Sequence, residues 1–252
     1  MKVISFINLK GGVGKTTLST NFAYLLAESW DLRVLFIDND KQGNASRWLG
    51  ADKERGTLAN IFMDGAKACD VIQESKHKGI DFIAADMGLM EANMSVLKDN
   101  DTRQDVILKQ ALSEIQEEYD LCVIDNPPDV NMSVFNSLTI TDDVIIVSSL
   151  EIDSIEGVRK TLAQISDAKK YNPMLNVRGV LINQYLAYTP FLELCQELEK
   201  ETQVFTTKIA YASRDAKNYL MTASMQGKSL FEISPNCRVA RDIMKFAEEL
   251  LR

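Results

Sequence analysis

Lys10-Gly11-Gly12-Val13-Gly14-Lys15-Thr16-Thr17, entered from Val3-Ile4-Ser5-Phe6-Ile7 and followed by a stretch of helical spacing to Glu28, decides the fold of this chain. The apolar run reads as a buried strand, the glycines as a tight turn, and the Ala- and Leu-containing stretch as a helix. A turn of this kind aims several backbone N–H groups, and the positive end of a helix dipole, at one spot that suits a polyphosphate. Gly11, Gly12, Val13, Gly14 and Thr17 would form the cradle. Lys15 would reach the β- and γ-phosphates, and Thr16 would hold Mg²⁺.

Short apolar runs alternate with helical-period segments, the pattern of a mostly parallel α/β sheet of seven or eight strands covered by helices on both faces. The runs are Val3 to Ile7, Val34 to Ile37, Phe82 to Ala85, Leu121 to Ile124, Val144 to Val147, Val177 to Ile182 and Val204 to Ile209. Helices are expected over Thr16 to Glu28, over Gln104 to Glu118, and where Ile155, Val158, Leu162 and Ile165 recur every three or four residues. Ala51 to Gly79 is polar, irregular and left unassigned. The 252 residues, 46% hydrophobic, carry no low-complexity linker, so a single domain spanning 1–252 is expected. The polar start and the lack of a long apolar run point to a cytoplasmic protein. The four cysteines, Cys69, Cys122, Cys195 and Cys237, lack metal-site spacing and read as reduced thiols.

Two strands run into carboxylates. Val34-Leu35-Phe36-Ile37-Asp38-Asn39-Asp40 ends in two acids one residue apart, and the carboxyl ends of parallel strands form the ligand face. Asp38 and Asp40 can therefore face the metal and the γ-phosphate. Tyr119 to Ile124 leads into Asp125-Asn126-Pro127-Pro128, where Asp125 would hold Mg²⁺ through water and the prolines stiffen a loop beside the γ-phosphate. One strand-terminal Asp alone reads as a helix cap. In this order after a phosphate loop, it does not.

The common form of the phosphate loop begins with a glycine where this chain has Leu9, and the next residue here is a second lysine, Lys10. In that respect the loop resembles the deviant phosphate loop of the ParA/MinD group of ATPases, and the resemblance extends over nearly the whole chain. It implies that Lys10 crosses a homodimer interface to the partner's ATP. The segment Asp38-Asn39-Asp40-Lys41-Gln42-Gly43-Asn44 is similar to the group's Asp-x-Asp-Pro-Gln-Gly-Asn, which gives Asp40 the attacking water and Asp38 a supporting role at the metal. Lys41 stands where proline is usual, and could set a cation near the phosphates. Asn136-Ser137-Leu138, Glu151 to Gly157 and Gly179 to Asn183 also resemble the group, and Asn183 is implied as an adenine contact or is simply a strand-end turn residue. Ile209-Ala210-Tyr211 replaces the usual Ile-Pro-Arg, so base contacts do not carry over there.

The formal net charge of −8 argues against a generally basic nucleic-acid surface, yet Lys208 to Arg241 holds six basic residues against two acids. Arg214, Lys217, Arg238 and Arg241 are the candidates for duplex DNA contact, a solvated face being the alternative. Val239, Ile243, Phe246 and Leu250 form a stripe on a last helix whose polar face is mixed in sign. A membrane-targeting helix would be strongly basic, so this one is expected to pack on the domain. The resemblance implies Mg²⁺-ATP-driven dimerisation, slow basal hydrolysis, sequence-independent DNA binding and a ParB-like partner that stimulates turnover. Because the phosphate loop begins at residue 10, no N-terminal helix-turn-helix domain is expected. The alternatives are a positioning ATPase for a protein cargo or a metabolic enzyme on the same fold. An iron-protein-like carrier would need paired cysteines at a dimer axis, and Cys122 lies inside a strand.

Overall fold

The computed structural model describes residues 1–52, 54–98, 103–151, 153–187 and 189–252. Strands β1 (Lys2–Ile7), β2 (Val34–Asp38), β3 (Ile72–Glu74), β4 (Ile80–Ile83), β5 (Leu121–Asp125), β6 (Asp143–Ser149) and β7 (Asn176–Asn183) form one sheet of order β3-β4-β2-β5-β1-β6-β7. All pairings are parallel except the short antiparallel edge β3–β4. The helices are α1 (Lys15–Trp30), α2 (Asn44–Leu49), α3 (Leu58–Asp64), α4 (Ala68–Val71), α5 (Gly88–Lys98) and α6 (Ile107–Ala111). They continue with α7 (Met132–Ile140), α8 (Ser154–Ala168), α9 (Thr189–Glu201), α10 (Arg214–Gln226), α11 (Leu230–Ile233) and α12 (Arg238–Leu250).

Strand periodicity sorts the core. Ile4, Phe6, Phe36 and Val123 face α1 and α12, while Val3, Leu35, Ile37, Cys122 and Ile124 face α3 and α5. Val144, Ile146, Val180 and Ile182 close a third cluster with α7 and α8. The stripe Val239, Ile243, Phe246 and Leu250 is buried on the first of these faces, as its spacing implied. Phe246 lies 5.1 to 6.3 Å, ring centre to ring centre, from Phe205, Phe22 and Phe6. Such a ring is worth about 3–5 kcal/mol against alanine. Among the described residues no helix is long and apolar enough to cross a membrane. All four cysteines are free thiols, of which Cys122 and Cys195 are buried and Cys69 is exposed.

Three expectations need correction. Val204 to Ile209 runs beside β7 but makes only isolated bridges, because Thr206 and Thr207 turn their N–H groups to the Glu249 carboxylate at 2.7 and 2.8 Å. The helix expected over Gln104 to Glu118 is reduced to Ile107–Ala111 and a run of turns. The Asn136 side chain accepts from Leu108 N–H and donates to the Gln104 carbonyl, and Ser113 Oγ donates to the Gln110 carbonyl, so local side-chain bonds compete with the helix. The strand placed at Phe82 to Ala85 ends at Ile83, since Ala84 O accepts from Leu58 N–H and Ala85 N–H donates to Ser46 Oγ. The unassigned stretch contains α3, α4 and β3. Within Glu151 to Gly157, Ile152 lies outside the described residues.

Candidate nucleotide site

Because β5 pairs with both β1 and β2, Phe6 and Asp38 each stand opposite Asp125, and three loops leave the sheet side by side. They are cross-tied. Asn126 Nδ2 donates to Phe6 O at 3.2 Å, and its Oδ1 accepts from Asn39 Nδ2 and Ser137 Oγ at 2.9 and 2.7 Å. Asn8, 1% exposed, donates to Val147 O and accepts from Lys10 N–H, fixing the entry to the phosphate loop. Asn8, Ser46 and Asn126 were not expected from the sequence, where single polar residues at strand ends look like ordinary turn formers.

The loop itself needs glycine for a geometric reason. Gly14 has φ +91°, and a Cβ there would collide with Asn183 Nδ2. Asn183 uses that amide to donate to Val13 O at 2.8 Å, and its Oδ1 accepts from Gln184 N–H. Gln184, at φ +57°, adds a bond to Gly12 O. The end of β7 thus clamps the phosphate loop from outside, and Asn183 has a loop-holding role beside any contact with a base.

Lys15 is buried at the start of α1, its Nζ donating to Asn8 O and Lys10 O at 3.0 and 3.2 Å. Burial lowers its pKa, against the pull of Asp125 and Asp40. Thr16 stands beside Asp125 and favours its charged form. Asp38 is fully buried, and its carboxylate accepts from Ser46 N–H, Ser46 Oγ and Asp40 N–H at 2.8, 2.7 and 3.1 Å. Burial still pushes it up to about 6. Asp125 is pushed up to about 7, chiefly by burial and then by Asp38, and its Oδ1 is buried with no hydrogen-bond partner among the described residues. Two buried carboxylates and a threonine hydroxyl at one point, with an acceptor oxygen left over, fit a divalent cation. Among the described residues no cluster of three or more His, Cys, Asp or Glu is spaced for a metal. Mg²⁺ takes most of its ligands from water and phosphate, so a few protein oxygens suffice to hold it.

Asp40 stands at the mouth, its Oδ1 accepting from Gln42 N–H at 3.0 Å. Lys41 lines a groove with Met90, Pro127 and Val130. Lys10 turns out of the cradle to form an ion pair with Glu151 at 2.6 Å. On the far side of Thr17, a cavity of about 260 Å³ is lined by Gly14, Asn183, Tyr211, Lys217 and Leu220. Lys217 Nζ donates to Tyr211 Oη at 2.6 Å and lies 4.4 Å from the ring centre, so it faces this cavity. Arg214, Arg238 and Arg241 are exposed on the first turns of α10 and α12. Tyr211, of the Ile-Ala-Tyr segment, lines this cavity.

Residues 1–177 match a family model described as an AAA domain. Sporulation initiation inhibitor protein Soj of Bacillus subtilis (strain 168) is 32% identical over 255 residues, covering 99% of this chain and 98% of Soj. Cobyrinic acid a,c-diamide synthase from Mycobacterium smegmatis, solved with a bound ATP analog and magnesium, is 25% identical with a TM-score of 0.84, covering 100% of this chain and 94% of that one. Apo McdA of Cyanthece superposes over the whole of both chains with a TM-score of 0.85 at 23% identity, a likeness of fold alone. With the phosphate loop, the two strand-end carboxylates and a full-length relative in agreement, the chain belongs to the ParA/MinD-type ATPase family.

Proposed function

We propose that this protein is an ATP-dependent partitioning switch, a single domain in which two copies close face to face over ATP and grip duplex DNA without reading its sequence. Hydrolysis, slow alone and stimulated by a ParB-like partner, then resets the pair. Lys10 carries the reading. Lys15 points into its own loop, whereas the Lys10 ammonium is held outside it on Glu151, where a second subunit can take it up. A full-length likeness, 28% identical over 257 residues, to a chromosome partitioning protein ParA of Caulobacter vibrioides supports the partitioning role.

In this reading the Gly11–Thr17 backbone and Lys15 bind the phosphates, and the cavity beside Asn183, Tyr211 and Lys217 takes the base. Thr16, Asp38 and Asp125 would hold Mg²⁺, which neutralises phosphate charge when bound with the nucleotide. Asp40, at the mouth of the site, orients the attacking water. It is a weak base, so turnover depends mainly on positioning and charge neutralisation, which a partner can improve.

Arg214, Arg238 and Arg241 supply exposed positive charge, and pairing of two subunits doubles it. Lys217 belongs first to the base cavity. The cell location that follows is the cytoplasm, on the nucleoid. The net charge of −8 favours a second reading, a protein cargo in place of DNA. Fluorescence anisotropy of labelled duplex DNA separates the two. Binding should require ATP, fail with ADP, and weaken about 10- to 1,000-fold between roughly 50 and 200 mM salt. A protein that pairs with ATP yet ignores DNA has a protein cargo.

A further inference from the structure

Helix α5, with the residue that precedes it, is apolar on two sides. Leu89, Ala92 and Val96 are buried against the sheet, as an amphipathic helix requires, but Met87, Met90, Met94 and Leu97 are 59, 50, 52 and 61% exposed. Their spacing of three, four and three residues is the seam by which one helix packs along another. Val130, 67% exposed, extends the stripe across a groove of about 240 Å³ whose wall includes Lys41 and Pro127. Water is a poor neighbour for such a continuous apolar strip.

The seam is symmetric about Ala92. Positions 87 and 97, and positions 90 and 94, are equidistant from it, and so are Asp86 and Lys98. Packed antiparallel about this centre, residue i meets residue j while j meets i, the pairing of a two-fold contact. We propose that a second copy of this chain covers the seam, the two α5 helices packing antiparallel. Met90 then lies on the second copy's Met94, Met87 on its Leu97, and Asp86 opposite its Lys98. The charges at the ends are complementary in this register, and in the parallel alternative they are not. Methionine's flexible thioether adapts to such a contact.

Four side chains a copy fall short of the roughly 800 Å² per partner of a stable interface. The seam therefore extends a larger contact. The groove beside it is walled by Asn39, Lys41 and Pro127, from the loops that carry Asp40 and Asp125, so it is continuous with the edge over which the subunits close. In this respect the inference rests on the face-to-face pairing proposed above.

The test is register-specific cross-linking with Mg²⁺-ATP, in a Cys69→Ser background that removes the exposed native thiol. Met90→Cys protein mixed with Met94→Cys protein should give a disulfide-linked dimer under mild oxidation, and neither should do so alone. The Met90→Glu variant should bind ATP normally and pair at least tenfold more weakly. If light scattering shows the ATP-driven pair but the mixture does not cross-link, or Met90→Glu pairs normally, the seam is overturned while pairing over the nucleotide stands. A chain that stays monomeric with ATP overturns both.

Discussion

The two edges of the sheet treat the same residue type in opposite ways. Where the strands begin, aspartates are matched: Asp120 pairs with Arg33 at 2.9 Å, and Asp143 with Lys2 and Arg178 at 2.7 and 3.3 Å. The Arg33 guanidinium holds Asp120 down at about 2. Where the strands end, Asp38 and Asp125 are fully buried among polar donors, make no ion pair among the described residues, and rise to about 6 and 7. The first edge is a finished structure. The second is finished only by something positively charged, which is the physical difference between a charge that stabilises a fold and one reserved for a ligand.

The largest effect that follows is at Asp125. Asp125→Asn should lower ATP turnover at least ~100-fold, as loss of a charge-positioning group does. It should also stabilise the ligand-free protein. Burial raises this carboxyl above its unfolded value of 3.8, so the folded state holds the proton more tightly and loses stability as pH rises toward about 7. At pH ~8 the Asn variant, measured by calorimetry with chelator, should melt about 2–4 °C higher, or roughly 1 kcal/mol. A lower melting temperature would place Asp125 among the structural charges of the other edge.

Ser46→Ala sharpens the same contrast from the donor side. It removes the 2.7 Å hydroxyl bond to Asp38 and leaves Ala85 N–H without an acceptor, at a cost of about 1–3 kcal/mol in urea unfolding. No change in unfolding midpoint would mean that Asp38 does not need this support.

Smaller effects belong to the exposed charges. Glu151→Gln frees Lys10 from a pair worth at most ~1 kcal/mol, so ATP-driven pairing should tighten no more than ~5-fold. Weaker pairing in a sedimentation titration would show that Glu151 guides Lys10 across the interface. Asp120→Asn should leave turnover untouched. Its folded pKa is depressed, so its contribution is present above 3.8 and is lost as pH falls toward about 2. The variant should therefore differ from wild type at neutral pH and converge with it in acid unfolding.

Much of this was legible in the sequence. The phosphate loop and the two carboxylates showed because each is a chemical type at a fixed distance from an apolar run, and a parallel sheet brings such run-ends together. Asn8, Ser46 and Asn126 were not legible, since their roles depend on which loops become neighbours across the sheet. Val204 to Ile209 failed as a strand for a similar reason. Nothing in its own composition reveals the competition from the last helix, where the Glu249 carboxylate takes two of its N–H groups. Lys217, exposed as its charge suggests, also meets Tyr211 at the rim of a cavity, a contact that depends on two segments becoming neighbours.

If Lys10 works on the other subunit's nucleotide, light scattering of Lys10→Ala protein with saturating Mg²⁺-ATP will show it. Wild type should double in mass while the variant binds ATP with near-normal affinity and stays monomeric. A Lys10→Ala protein that pairs as wild type does, and is equally stimulated in hydrolysis, would contradict it.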